Sequence, residues 1–329
     1  MAVTIKDLAR ICGVAIATID RALRNRPGIS PRTRAMILEK VREYNYKPNV
    51  VARNLKRGRT YEIGLIVHDL DNEFFAQLVN VIQAIAWNRH YFLKLSISLR
   101  DPERERRALE HMVEQNVDGI ILFPTASGEE FAAFLKGLKR PLVTIANKVS
   151  PSLPFVGLSD RAIMHEVTEK IIRKGYRRLI FVGPLNTAQE KSNLYEIDER
   201  YEGFLLASSA HPEIEHRIIS TVGDYVGEIR KISLPGPRTA IVCCSDIFAL
   251  EILNDLKARG LTVPVDVGLM GFDSIFALRY ITPKLSTVEY PIEKMGQIAF
   301  AYLLDLQESG NSHVPSSELV PTILWREST

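Results

Sequence analysis

At 329 residues the chain is longer than a single hydrophobic core usually organises, so two or three compact units are expected. Its 46% hydrophobic and 25% charged residues exclude a disordered, collagen-like or disulfide-dense protein. The net charge of +3 hides a division: residues 1–60 hold 14 Lys and Arg against 4 Asp and Glu, net +10, leaving 28 against 35, net −7, so a basic head suited to a polyanion precedes an acidic body.

The opening MAVTIKDLARICG has no apolar export segment or cleavage site, and no run approaches about 18 apolar residues. A cytoplasmic, nucleoid-associated protein without membrane contact is expected. In the first element Ile5, Leu8, Ala9 and Cys12 recur at helical spacing, with Thr4 as N-cap and Asp7 three residues on. Gly13-Val14 turns the chain into AIATIDRALR, where Ile19, Ala22 and Leu23 share one face. Two short helices joined at a glycine have the helix-turn-helix layout. Ser30-Pro31 then opens a third helix with a cap and a first-turn proline, and Met36, Ile37, Val41 and Tyr44 are expected to line its inner face.

At 100° per residue, Ala17, Arg21 and Arg24 of the second helix point away from its core stripe, and Ile16 lies on the border. In a major groove Arg21 has the donors for a guanine edge, Ile16 or Ala17 the methyls for a thymine, and Thr18 the hydroxyl for a phosphate. The next segment, Asn49 to Lys56, is about two helical turns. That is too short to be stable alone, so it should order only when partnered.

These residues carry a resemblance. VTIKDLARICGVAIATIDRALRNRPGISPRTRAMILEKVREYNYKPNVVARNLKRGRT resembles the DNA-binding head of the lactose/galactose-repressor (LacI/GalR) family, including Tyr46-x-Pro48-Asn49 leading into the hinge. The resemblance implies base-reading roles for Ile16, Ala17 and Arg21, and phosphate anchoring by Thr4, Thr18, Ser30, Thr33 and Asn49; from its place on the helix, Arg24, nearer the outer rim, is expected to act mainly through phosphate. It also implies a hinge helix whose Leu55 wedges between base pairs in the minor groove with Lys56 beside it. Two positions depart from the family: Ala15 stands where a capping serine is usual, and Asp20 where another serine is usual.

From Tyr61 onward short apolar runs (EIGLIV, FLKLSI, DGIILF, PLVTIA, RLIFVG, RIISTV, TAIVCC, VGLMGF) alternate with amphipathic helical stretches. This alternation predicts α/β lobes with doubly wound parallel sheets, and ligands in such sheets bind beyond the carboxyl ends of the strands. Cys12, Cys243 and Cys244 read as reduced core thiols, because no CxxC or histidine spacing supplies a metal site. Asp246 reads as the cap of the helix SDIFALEILNDL.

The resemblance continues through IGLIVHDLDNEFFAQLV, ERYEGF, TAIVCCSDIFALEILNDLKARGLTVPVDVGLMGFD, LSTVEYPIEKMG and LVPTILWREST. It implies a body similar to periplasmic sugar-binding proteins (type I), with a cleft between two lobes. The expected division is residues 1–48 for the head, 49–60 for the hinge and 61–329 for the effector-binding domain. Within the last, one lobe takes about 61–157 and 291–317, the other about 158–288 and 318–329.

Asn72, Phe74 and Phe75 are expected in the cleft, one of the two rings being equally suited to lobe packing. By family position Asn147, Arg200, Ser245, Asp273 and Tyr290 join them. Rings for C–H faces and fixed polar groups for hydroxyls suit a sugar. Glu73, Ala146-Asn147, Ser245 and Tyr290 depart from the family's usual proline, Asp-Arg pair, asparagine and glutamine. The sequence leaves open a phosphorylated sugar, a nucleobase or an aromatic compound.

No GxSxG elbow, Walker loop, dinucleotide GxGxxG or metal motif supports an enzyme or a resident cofactor. The expected function is a homodimeric repressor that binds double-stranded operator DNA under control of a small sugar-like effector. An activator is the rival that sequence alone does not separate.

Overall fold

The computed structural model describes residues 3–47, 59–185, 192–233, 237–309 and 316–329. The chain divides into two compact units, Met1–Thr60 and Tyr61–Thr329. The first contains α1 (Ile5–Cys12), α2 (Ile16–Leu23) and α3 (Pro31–Glu43). Thr4 and Asp7 form a reciprocal cap on α1: the Asp7 amide donates to Thr4 Oγ1 at 3.2 Å and the Thr4 amide to Asp7 Oδ2 at 3.1 Å. Gly13 ends α1 in the left-handed region, at φ 64°. Ser30 caps α3, accepting from the Thr33 amide at 3.1 Å.

Leu8, Ile19 and Ile37 are fully buried, and Ala9, Ala22 and Tyr46 close around them. Met36 and Tyr44, expected on the inner face of α3, are instead 37% and 40% exposed. Two eight-residue helices cover only a narrow stripe of a 13-residue one, and Ile37 with the partly buried Val41 fills it.

Ala15 sits at the N-cap of α2 with the extended backbone of a capping residue (φ −65°, ψ 149°) and no side-chain oxygen to offer. Ala15→Ser should therefore stabilise the head by about 0.5–2 kcal/mol. Hydrogen exchange of the α1–α3 amides would show slower opening, whereas unchanged or faster exchange would mean that another group already serves the orphan donors.

The second unit has strands β1 (Glu62–Val67), β2 (Phe92–Ile97), β3 (Gly119–Leu122), β4 (Leu142–Ile145), β5 (Phe155–Leu158), β6 (Arg178–Gly183), β7 (Glu215–Ser220), β8 (Thr239–Cys243), β9 (Val267–Met270), β10 (Thr287–Glu289), β11 (Ser317–Leu319) and β12 (Thr322–Leu324). Its helices are α4 (Glu73–Asn88), α5 (Pro102–Glu114), α6 (Glu129–Gly137), α7 (Asp160–Arg173), α8 (Tyr195–Ser209), α9 (Tyr225–Arg230), α10 (Asp246–Ala258) and α11 (Ile292–Ser309). A six-stranded parallel sheet runs β11-β5-β4-β3-β1-β2 and a four-stranded parallel sheet runs β7-β6-β8-β9. An antiparallel pair, β10 with β12, completes the unit.

The central strands are apolar on both faces because helices cover both: Leu65, Ile66 and Val67 of β1 are all fully buried. The edge strands β2 and β7 differ: Phe92, Leu95 and Ile97 of β2 and Glu215, His216 and Arg217 of β7 are exposed. Strand β7 begins two residues before the apolar run RIISTV; β10, β11 and β12, of three residues each, are too short to show a pattern, and β5 lies outside the runs read from the sequence. Among the described residues no helix is long and apolar enough to cross a membrane.

Helices α7 and α8 pack backbone against backbone at Gly203. A Cβ added at Gly203 would stand 2.2 Å from the Arg161 carbonyl oxygen. Cys243 and Cys244 are buried free thiols, and burial pushes the Cys244 thiol up to about 12. Neither forms a thiolate at neutral pH.

Candidate DNA-reading face and ligand cavity

In α2 the core takes Ile19 and Ala22, which leaves Ala17 and Arg21 exposed and Ile16 44% exposed. The border residue Ile16 is therefore on the free face. Thr18 is half-buried, and Arg24 is held by Asp20, Nε to Oδ1 at 2.8 Å. That ion pair removes the repulsion that an unpaired aspartate would present to a phosphate. At the start of α3 the Ser30 and Thr33 hydroxyls lie 2.8 Å apart at the positive end of the helix, which favours an anion. Thr4 is exposed, its hydroxyl donating to Asp7 Oδ2 at 2.6 Å. Asn49, Leu55 and Lys56 lie outside the described residues.

The body holds a cavity of about 560 Å³. Six of its lining segments follow the carboxyl ends of strands: Asp69–Phe75 after β1, Leu99-Arg100 after β2, Pro184-Leu185 after β6, Thr221-Val222 after β7, Cys244-Ser245 after β8 and Asp273 after β9. Both large sheets contribute, as expected for doubly wound lobes. Asn72 caps α4 by accepting from the Phe74 amide at 3.1 Å, which turns Phe74 and Phe75 inward. Both rings line the cavity. Phe74 also meets the Tyr290 ring at 4.6 Å, whereas Phe75 packs back on Phe123 at 4.9 Å.

Arg200 is the organising cation. It is 2% exposed, its guanidinium carbon 3.6 Å from the centre of the Phe272 ring. Nε donates to Asp160 Oδ1 at 2.8 Å, Nη1 to the Cys244 carbonyl at 2.6 Å and Nη2 to the Tyr290 hydroxyl at 2.6 Å. Tyr290 in turn donates to Glu196 Oε2 at 2.9 Å, and Glu196 lies 3.5 Å from Nη2. Burial raises Asp160 to about 6 despite the arginine beside it.

Asp273 has φ 114°, a conformation rare for a side chain other than glycine and of the kind stored at functional sites. Its amide is fixed by the Val288 carbonyl at 2.9 Å, and its Oδ2 accepts from the Ser245 hydroxyl at 2.7 Å. Burial pushes its carboxyl well above the ordinary range.

Seven of the eight expected cleft residues thus meet at one cavity. Asn147 does not. Its amide donates to the Asn193 carbonyl at 2.9 Å and accepts from the Glu196 amide at 3.1 Å, so it braces the start of α8 and does not line the cavity. Asp246 is also corrected: Ser245 is the N-cap, without a side-chain bond, and Asp246 is the first helical residue. The Asp246 carboxylate instead ties Thr287, at 2.7 Å, to the Ile275 amide, at 3.0 Å. Glu73, the departure from proline, accepts from the Ala277 amide at 2.9 Å.

Sequence reasoning missed Glu196 and Asp160. The first was detectable, since it precedes Arg200 by one helical turn. The second had no local signal, because β5 and α7 bring it across 40 residues of chain.

Residues 4–49 match the model of bacterial regulatory proteins, lacI family, and residues 168–329 that of the periplasmic binding protein-like domain. Over 336 aligned positions the chain is 30% identical to the HTH-type transcriptional regulator RegA of Clostridium saccharobutylicum, covering 100% of both. The chain belongs to the LacI family. It is a DNA-binding transcriptional regulator and not an enzyme, with a helix-turn-helix head and a type I periplasmic-binding-protein-like body.

Solved structures of this fold agree. The lac repressor dimer bound to operator and the anti-inducer ONPF matches with a TM-score of 0.82 at 20% identity, covering 100% of this chain and 99% of that one. A periplasmic binding protein/LacI regulator from Alkaliphilus metalliredigens complexed with D-xylulofuranose matches at 0.69 and 25% identity, covering 82% of this chain and 99% of that one. LacI-family membership accounts for the basic head and for the cavity alike.

Proposed function

We propose that this LacI-family regulator is a repressor of a carbohydrate-utilisation operon whose operator affinity is set by a small polyhydroxylated effector in the body cavity. The observation that carries the reading is the cavity itself, where aromatic faces at Phe74 and Tyr290 stand beside the fixed polar groups of Ser245, Asp273 and Glu196. Rings for C–H faces and immobile acceptors for hydroxyls are what a sugar requires. The D-xylulofuranose complex of a regulator with this fold supports the same class. An effector acting through a typical coupling of about 1–3 kcal/mol would change operator affinity about 5- to 150-fold.

The operator-bound form is a homodimer reading a near-palindromic site, with Ile16, Ala17 and Arg21 toward base edges and Thr4, Thr18, Arg24, Ser30 and Thr33 toward phosphates. One short recognition helix per chain favours this, as does the exposed apolar edge of β2, where Phe92 is 60% exposed beside Trp87 at 62%. The lac repressor structure of the same fold is a dimer.

Fluorescence anisotropy with the chain's own promoter DNA tests the reading. Arg21→Ala should lose about 1–3 kcal/mol at one base pair of each half-site and tolerate any base there. An equal loss on every sequence would make Arg21 a phosphate contact and remove it from the reading face.

A further inference from the structure

Charge in the cavity is unevenly distributed, and the imbalance bears on which effectors fit. Among the described residues four carboxyl groups line it, those of Asp69, Asp71, Glu196 and Asp273, the last with its proton favoured by burial, against two cations, Arg100 and Arg200. Arg100 already leans on Asp69 at 3.9 Å. Arg200 is largely committed. Asp160, which does not line the cavity, neutralises it from behind, and Asp160, the Cys244 carbonyl and the Tyr290 hydroxyl take three of its five N–H groups, one on each nitrogen. A carboxylate or phosphate on an effector would reach only the remaining Nη N–H groups of a guanidinium that Asp160 already neutralises, and would meet the Glu196 carboxylate 3.5 Å from Nη2 as it did so.

The acceptors, by contrast, are left over. Asp273 is only 6% exposed, yet its Oδ1 receives no hydrogen bond from the described residues, Oδ2 alone being occupied by Ser245. Glu196 accepts from Tyr290 through Oε2, and its Oε1 has no donor among the described residues. The Phe74 and Tyr290 rings, 4.6 Å apart, line the same cavity, and the Tyr290 ring already takes one cation, the Arg200 guanidinium carbon lying 5.6 Å from its centre. A bare metal ion is a poor match, because about 560 Å³ is the size of a small organic ligand site and no group of three metal-ligating side chains is present among the described residues.

We infer that the effector carries a positive charge: it is a hydroxylated primary ammonium compound of monosaccharide size, an amino sugar, whose ammonium is held by Asp273 and Glu196 against the Phe74 and Tyr290 rings. This rests on the cavity being the effector site. It also accounts for a chain-specific residue, since the Tyr290 hydroxyl serves Arg200 and Glu196 while its ring lines the cavity beside Phe74.

Protonation gives a second readout. The groups facing Asp273 are Ser245 and Asp246 of the β8–α10 turn, Arg200 and Glu196 of α8, and Tyr290 ahead of α11, with Asp160 of α7 behind Arg200. Burial holds the Asp273 carboxyl well above its ordinary range, so it keeps its proton as pH rises past that range. An arriving ammonium favours the carboxylate and expels the proton. Affinity for the amine therefore rises with pH up to the raised Asp273 value, while a neutral sugar releases no proton.

Isothermal titration of the full chain with galactosamine, galactose and galacturonate, and with the corresponding gluco series, reads both effects. The expected result is an amino sugar binding about tenfold or more above its neutral and acidic counterparts, with proton release seen as a heat that changes between buffers of different ionisation enthalpy. Asp273→Asn should erase the preference. Glu196→Gln, at a half-buried position, should reduce it and serves if the first variant does not fold. Preference for the neutral or the acidic sugar, or amine binding without proton release, overturns the charge assignment and leaves the sugar reading intact. Binding by none of the six, with operator affinity unmoved by any of them, overturns both.

Discussion

Arg200→Met is expected to destabilise the body by about 3–5 kcal/mol, because it removes one partner of a buried ion pair and leaves the others without compensation. Arg200 and Asp160 have side chains only 3% and 1% exposed, and Glu196 is 15% exposed. Asp160 is held by Arg200 through Oδ1 alone, its Oδ2 being buried without a partner, so no other contact replaces the lost cation. The double change Arg200→Met, Asp160→Leu should recover most of the loss, since an apolar pair needs no charge compensation. Urea unfolding of both variants makes the comparison. A loss below about 1 kcal/mol in the single variant would show that the pair's desolvation already cancels its attraction.

Gly203→Ala should also be costly, and here the sign is informative. In an exposed helix interior alanine is favoured over glycine by about 1 kcal/mol. At Gly203 the new Cβ would lie 2.2 Å from the Arg161 carbonyl oxygen and 3.0 Å from the His165 amide, both backbone atoms that cannot rotate away. Separating α7 from α8 should cost about 1–3 kcal/mol. It should also weaken effector binding, because those two helices carry Asp160 and Arg200. Gly137→Ala is the control: its Cβ meets nothing within 4 Å, so it should be neutral or stabilising. Equal stability of the two variants would mean that the α7–α8 approach relaxes without penalty.

The alternation of apolar runs and amphipathic stretches was legible because buried parallel strands need apolar residues on both faces. The same periodicity located the three head helices through their caps at Thr4 and Ser30. Burial on α3 was less legible: periodicity identifies a face but not how much of it a small partner covers, and so Met36 and Tyr44 were placed inside. At the cavity, residues directly following a strand's carboxyl end were readable from position. Asn147 also follows a strand, β4, but its left-handed neighbour Ala146, at φ 58°, and the nearby start of α8 commit it elsewhere. Asp160 was invisible for the opposite reason, since its partner is fixed by the crossing of two helices and not by any spacing along the chain.

The two units each enclose a core of their own, Leu8, Ile19, Ile37 and Tyr46 in one and the strands of both large sheets in the other. Neither needs the other's side chains to exclude water. In evolutionary terms this makes address and message separately heritable: on the proposed reading, substitutions on the free face of α2 would redirect the regulator to new genes without disturbing what it senses. Substitutions in the six strand-end loops would, on the same reading, retune what it senses without moving it along the genome. Recombination at the boundary between Thr60 and Tyr61 would exchange one trait intact for another, and a lineage can therefore draw new regulators from old parts with few changes to either core.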